Sequence, residues 1–191
     1  MTIPDLHWAR QHAYTGCMYY TLYALTGDVA LLAPEFTADH NFARWTLAAI
    51  ERGLIPETTY SDSAAWQGRE LGTDALRPLP LEQWFPAVWR CPEEDGETAW
   101  ALAALCVRSR RRQRSQHMVA LIILWQDGWR FGVSDSTSEV DGVQWFDGEE
   151  AWLASHYATA LEVHVLRPLA QAQQPWHIGE DEMPALIEAV P

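Results

Sequence analysis

Apolar residues run through this chain in two rhythms, helical spacing in the first third and continuous or alternating runs in the second half. After the turn Tyr14-Thr15-Gly16, the stretch Cys17 to Leu25 is an unbroken apolar and aromatic run, stopped by Thr26-Gly27-Asp28. Met18, Leu22 and Leu25 share one helical face, which predicts a short buried helix led by Cys17. Residues 29–37, with Pro34, read as a loop. Asp39 is placed to cap a helix from about His40 to Arg52, whose Phe42, Trp45, Leu47, Ala49 and Ile50 form a broad apolar stripe ending at Gly53. Residues 56–77 are polar and turn-rich and read as a long loop or lid anchored by Trp66, and residues 81–88 as another short helix. Thr98–Arg108 is ambiguous, since its alanines favour helix while its alternation favours strand; a helix leading into a short strand near Leu105–Ser109 is the expectation.

Beyond this point the pattern turns to strands. His117–Trp125 is a continuous apolar run suited to a central strand, Gln126-Asp127-Gly128 supplies a hairpin turn, and Trp129–Ser134 returns antiparallel. Asp135-Ser-Thr-Ser-Glu139 is a polar corner. A strand at Val143–Phe146, a helix at Gly148–Ser155 capped by Asp147, and a last strand at Leu161–Leu166 follow. The expectation is one α+β domain over residues 1–170, with 171–191 as an acidic, proline-punctuated tail. The first ten residues read as an irregular lead-in with Leu6 and Trp8 packed on the body.

Composition narrows the chemistry. The chain has 191 residues, 48% of them hydrophobic, and 11 Trp, enough for a core without staples. The first dozen residues lack the features of a signal peptide and no apolar run reaches spanning length, so no membrane partner and a cytoplasmic location are expected, with secretion by a signal-independent route as the alternative. The formal net charge of −13 disfavours nucleic acid and leaves room for a basic peptide or protein partner. All 13 basic residues are arginine. Codon bias accounts for this, as does avoidance of self-modification by an enzyme that acylates lysine amines. The densest basic cluster, Arg108 to Arg114, reads as a solvated loop. Three cysteines, Cys17, Cys91 and Cys106, form no C-x-x-C pair, and His156, His164 and His177 lack metal-like spacing. No metal or other cofactor is expected, and these histidines, like His40, read as structural or surface residues.

Four residues remain as a candidate constellation. Cys17 at a helix start sits where unpaired N–H groups and the helix dipole favour a thiolate. His117 opens the central strand and Asp135 ends the next one, so the open end of their hairpin brings them together. Cysteine supplies a nucleophile, histidine a base and then an acid, and the carboxylate an orienter, while an amide donor such as Gln11 could hold an oxyanion. Glu139 and Asp141 are second choices for the orienting role. The alternative is a buried thiol, a satisfied core histidine and a turn aspartate.

The order Gln-x5-Cys at a helix start, His on a strand and an acid one hairpin later resembles the papain-like cysteine peptidase superfamily. Within it, GCMYYTLYALTGD, HMVALIILWQDGWRFGVSDS and VQWFDGEEAW are most similar to the bacteriocin-processing group, which removes double-glycine leader peptides. Met18 and Ser136 depart from the glycine and proline usual in that group. The resemblance implies a papain-like fold, with a Cys-led helix packed on an antiparallel sheet. It implies Cys17 as nucleophile, His117 as base, Asp135 as orienter and Gln11 as oxyanion donor in hydrolysis of a peptide or isopeptide bond. Deamidation, transglutamination or acyl transfer at the same site is one alternative; a non-catalytic acidic binding module is another.

Overall fold

The computed structural model describes residues 3–12, 15–61, 99–109, 115–125 and 128–169. In chain order the elements are α1 (Cys17–Thr26), α2 (Pro34–Thr37), α3 (Phe42–Glu51), β1 (Leu54–Ser61), β2 (Ala99–Arg108), β3 (Gln116–Trp125), β4 (Trp129–Ser134), β5 (Gln144–Asp147), α4 (Gly148–Leu153) and β6 (Glu162–Pro168). Short 3-10 turns lie at Val29–Leu32 and His156–Ala158. The six strands form one antiparallel sheet in the order β1-β6-β2-β3-β4-β5.

The two-residue period of the central strands divides the core. Leu102 and Ala104 of β2, with Met118, Ala120, Ile122 and Leu124 of β3, pack against Tyr19, Leu22 and Leu25 of α1 and Trp45 of α3. The intervening residues, Ala103, Leu105, Val119, Leu121 and Ile123, face the other way and pack with Phe131, Val133, Val163 and Val165 beneath Trp152 of α4 and Tyr157. Both faces of β3 are therefore covered, which is why its sequence is a continuous apolar run rather than an alternating one. Each fully buried Leu or Ile there contributes about 1.5–3 kcal/mol relative to exposure.

Several expectations change. The described part of Thr98–Arg108 contains no helix: Ala99–Arg108 is strand throughout, paired residue for residue with β3. Strand pairing on both sides and burial of both faces outweigh the helix preference of its alanines. Pro56 lies within a strand, not a loop. That strand, β1, is at the sheet edge and pairs only with β6, so a residue without an N–H is tolerated. Residues 29–37 hold a 3-10 turn and the one-turn α2. The cap of α3 is Asn41, whose Oδ1 accepts from Ala43 N–H at 2.9 Å, while Asp39 accepts from Asn41 N–H one step earlier. Asp147 holds the N-cap position of α4 but makes no capping bond. Its carboxylate binds Arg130 at 2.7 Å instead. His164 is a core residue, 1% exposed, with Nδ1 2.9 Å from Thr58 Oγ1. Burial pushes it down to about 4, so it is neutral at physiological pH. The expectations for Trp66, residues 81–88, Cys91, the arginines at 110–114, the turn at 126–127, His177 and the tail at 171–191 lie outside the described residues.

Gly16 fixes how the chain enters α1. It caps the helix at φ 97°, and a Cβ built there would lie 2.6 Å from the Thr37 carbonyl oxygen. Left-handed backbone alone costs other residues about 1–2 kcal/mol, and the contact is with backbone that has no rotamer to change. Gly16→Ala should therefore lower stability by roughly 2 kcal/mol or more in denaturant titration. An unchanged midpoint would contradict this account of the turn.

Candidate functional site

Cys17 is the first residue of α1. The Gly16 carbonyl accepts from Tyr19 N–H at 2.9 Å and Tyr20 N–H at 3.1 Å, whereas the first-turn N–H groups before them have no acceptor within the helix. One of these, Met18 N–H, points to the Cys17 sulfur. A second backbone donor comes from Met118 on β3. β4 pairs with β3 only from Ala120 onward, so the first residues of β3 extend past the end of β4.

His117 stands beside Met118, and it and Cys17 act on one another's charge. Its Nε2 meets Asp135 Oδ1 at 2.8 Å, leaving Nδ1 as the nitrogen for the thiol. Both side chains are buried, 8% and 7% exposed. Asp135 directly follows β4 and is fixed by its own turn: Thr137 N–H donates to Oδ1 at 2.8 Å and the Thr137 hydroxyl at 2.9 Å. Thr137 Oγ1 also lies 3.2 Å from His117 Nε2. The Tyr157 hydroxyl donates to Oδ2 at 3.1 Å, and Trp8 Nε1–H to the Asp135 carbonyl at 3.1 Å.

Gln11 joins the two sides of the site. Its backbone N–H donates to the Ser136 carbonyl at 2.8 Å. In the side chain, Oε1 accepts from the Ser136 hydroxyl at 3.0 Å and Nε2 donates to the Thr15 carbonyl at 2.9 Å. The amide is thus pinned between the residue after Asp135 and the turn that leads into Cys17.

Charge follows from these contacts. Burial raises the Cys17 thiol, but the hydrogen bond and charge of His117, with the N–H groups of Met118 and Met18, outweigh it and leave the thiol below its ordinary value. Burial pulls His117 down, yet the hydrogen bonds and charges of Asp135 and Cys17 raise it to about 9. Burial disfavours ionised Asp135, and the His117 bond and charge together with Thr137 drive it well below the usual carboxylate range. All three shifts run toward the charged forms, thiolate on the half-buried Cys17 and imidazolium and carboxylate on the buried His117 and Asp135. Cys106 is the contrast. Burial, with the charges of Glu162 and Cys17 adding to it, pushes that thiol up to about 12.

Iodoacetamide at pH 6 should accordingly alkylate Cys17 at least roughly a hundredfold faster than Cys106, because each unit of thiol pKa is about tenfold in thiolate below the pKa. Peptide mapping by mass spectrometry reads this directly, and equal rates would contradict the charge assignment.

All four candidate residues therefore meet in one place, from the lead-in segment, the start of α1, the start of β3 and the end of β4. The second-choice orienters do not join them: Asp141 pairs with Arg10, and Glu139 is exposed. His40 is exposed, and His156 Nε2 lies 2.8 Å from the Arg108 carbonyl. Trp8, Ser136, Thr137 and Tyr157 are the contributors that sequence reasoning missed. Thr137 carried a signal, an Asp followed two residues later by a hydroxyl residue; Tyr157 carried none. Among the described residues no group of three His, Cys, Asp or Glu is arranged to hold a metal ion, and no helix is long and apolar enough to cross a membrane. Comparison with protein-family models, curated proteins and solved structures found no match.

Proposed function

We propose that this chain is a thiol acyl-transfer enzyme of papain-like type, in the simplest case a cysteine peptidase that hydrolyses a peptide or isopeptide bond. The observation that carries the proposal is the grouping of Cys17, His117 and Asp135, with the sulfur at a helix start and the buried His117 held at 2.8 Å by the carboxylate. Three side chains from three elements do not align in this order for packing alone, since an ionised carboxylate and imidazolium are costly to bury.

The steps follow from the contacts. The Cys17 thiolate attacks the carbonyl carbon, and negative charge grows on the carbonyl oxygen. The Cys17 backbone N–H and the Gln11 amide are the donors proposed for that oxygen. His117 gives its proton to the departing nitrogen as the C–N bond breaks, leaving a thioester on Cys17. Water then attacks the thioester, His117 takes the water's proton, and the acid leaves as Cys17 regains its thiolate. Asp135 holds the imidazole and stabilises its charged form throughout. The net charge of −13 suits a basic peptide or protein substrate.

A peptide mixture incubated with the protein, and with a sample blocked by iodoacetamide, tests the proposal. New amino termini found only with the unblocked protein are the expected result. The absence of lysine favours a second reading, transfer of the acyl group to an amine, and a biotinylated primary amine added to the mixture tests it. Identical samples with and without blocking would leave the chain as a binding module.

A further inference from the structure

We propose that Tyr157 is a positioning residue of this site: its hydroxyl holds the second carboxylate oxygen of Asp135 and so sets the orientation that Asp135 imposes on His117. The inference rests on the reading of Cys17, His117 and Asp135 as one reactive unit. The three bonds from His117 Nε2, Thr137 N–H and the Thr137 hydroxyl all fall on Oδ1. A carboxylate held at one oxygen can still pivot about its Cβ–Cγ bond. Tyr157 supplies the bond to Oδ2, from the far side of the site, at 3.1 Å.

The direction of that bond is also set. Gln144 Nε2 lies 3.3 Å from the Tyr157 oxygen and 2.7 Å from Ser138 Oγ, which accepts from Val140 N–H as well. An amide nitrogen only donates, so the Tyr157 oxygen accepts from Gln144 and its own hydrogen goes to Asp135. The chain of donors runs from Gln144 to Tyr157 to Asp135, meeting His117 from the other side. The tyrosine ring is rigidly placed, 1% exposed and edge-on to Phe146 at 6.0 Å. The charged groups acting most strongly on His117 are Asp135 and Cys17, and the one acting most strongly on Asp135 is His117.

Tyr157→Phe keeps the ring and its packing and removes the one bond to Oδ2. The experiment is the pH profile of Cys17 alkylation by iodoacetamide, from pH 4 to 10, on folded protein with thermal melts alongside. Loss of orientation weakens the His117 bond, so the thiolate limb should move up by about one pH unit, with roughly tenfold slower alkylation at pH values below that limb. Gln144→Leu, which leaves the hydroxyl without its donor, should shift the limb in the same direction by less. A tyrosine that only fills the core would lower the melting temperature and leave both profiles within twofold of the parent, which overturns the inference. A downward shift overturns it too, since it would mean that Tyr157 only withdraws charge from Asp135. An unsubstituted protein whose Cys17 titrates as an ordinary thiol removes the reactive-unit reading, and this inference with it; a low-pH limb unmoved by Tyr157→Phe removes this inference alone.

Discussion

Cys17→Ala should abolish turnover of any substrate identified for the parent while the protein remains folded. Alanine starts a helix without strain, and what is lost is the sulfur proposed to carry the acyl group. Asp135→Asn should cost less, roughly ten- to a thousandfold, because a thiolate–imidazolium pair partly sustains itself. A second consequence concerns stability. The raised His117 contributes stability that is complete below about pH 6.5, the unfolded value, and is lost as pH rises through about 9. The lowered Cys17 contributes in the opposite sense, above its unfolded value and lost as pH falls through its folded one. In the parent the two offset each other, since the ion pair binds as many protons as a neutral pair. With Cys17 gone the Asp135 bond and charge still raise His117, though less far than in the parent, and nothing offsets that slope, so melting temperature should fall above pH 6.5 more steeply in Cys17→Ala than in the parent. Parallel melting curves, or turnover retained by the variant, would count against the ion pair and the nucleophile respectively.

His117→Gln tests the other half of the pair. Glutamine can still donate to Asp135, so the buried carboxylate keeps a partner, but it carries no charge and takes no proton. Of the influences on Cys17, burial is the largest and raises the thiol, while His117 supplies the two strongest opposing ones. Removing them should turn Cys17 into a thiol resembling Cys106, with alkylation at pH 6 slower by roughly two orders of magnitude or more. Turnover should fall at least as far, since the leaving nitrogen also loses its proton donor. An alkylation profile unchanged by His117→Gln would mean that the helix start and the Met18 and Met118 N–H groups lower the thiol unaided.

Much of this molecule was legible in one dimension because the forces involved are local or periodic. The Cys17 helix, bounded by Gly16 and Gly27, follows from an apolar run closed by residues at φ 97° and 72°. The hairpin of β3 and β4 follows from a continuous apolar run and an alternating one with turn residues between. That hairpin dictates that His117 and Asp135 lie at one end, and the structure has them 2.8 Å apart. The order of residue types, glutamine, cysteine, histidine, acid, was likewise present in the sequence, and so was the candidate site.

Long-range packing decided the rest. Ala99–Arg108 became strand because neighbours on both sides supply hydrogen bonds that its alanines do not specify. The first residues of β3, His117 and Met118 among them, come beside Cys17 because β3 runs past the end of β4, and both act to lower the thiol. Gln11 reaches both Thr15 and Ser136 only once the lead-in segment lies across the end of the sheet. Tyr157 arrives at Asp135 from a 3-10 turn after α4, with nothing in its neighbours to mark it. Residue order determined which chemical groups the chain could bring to a site. The bonds and charges that favour an ion pair against the pull of burial exist only once α1, β3 and β4 bring Cys17, His117 and Asp135 together, because no single segment of the chain carries all three.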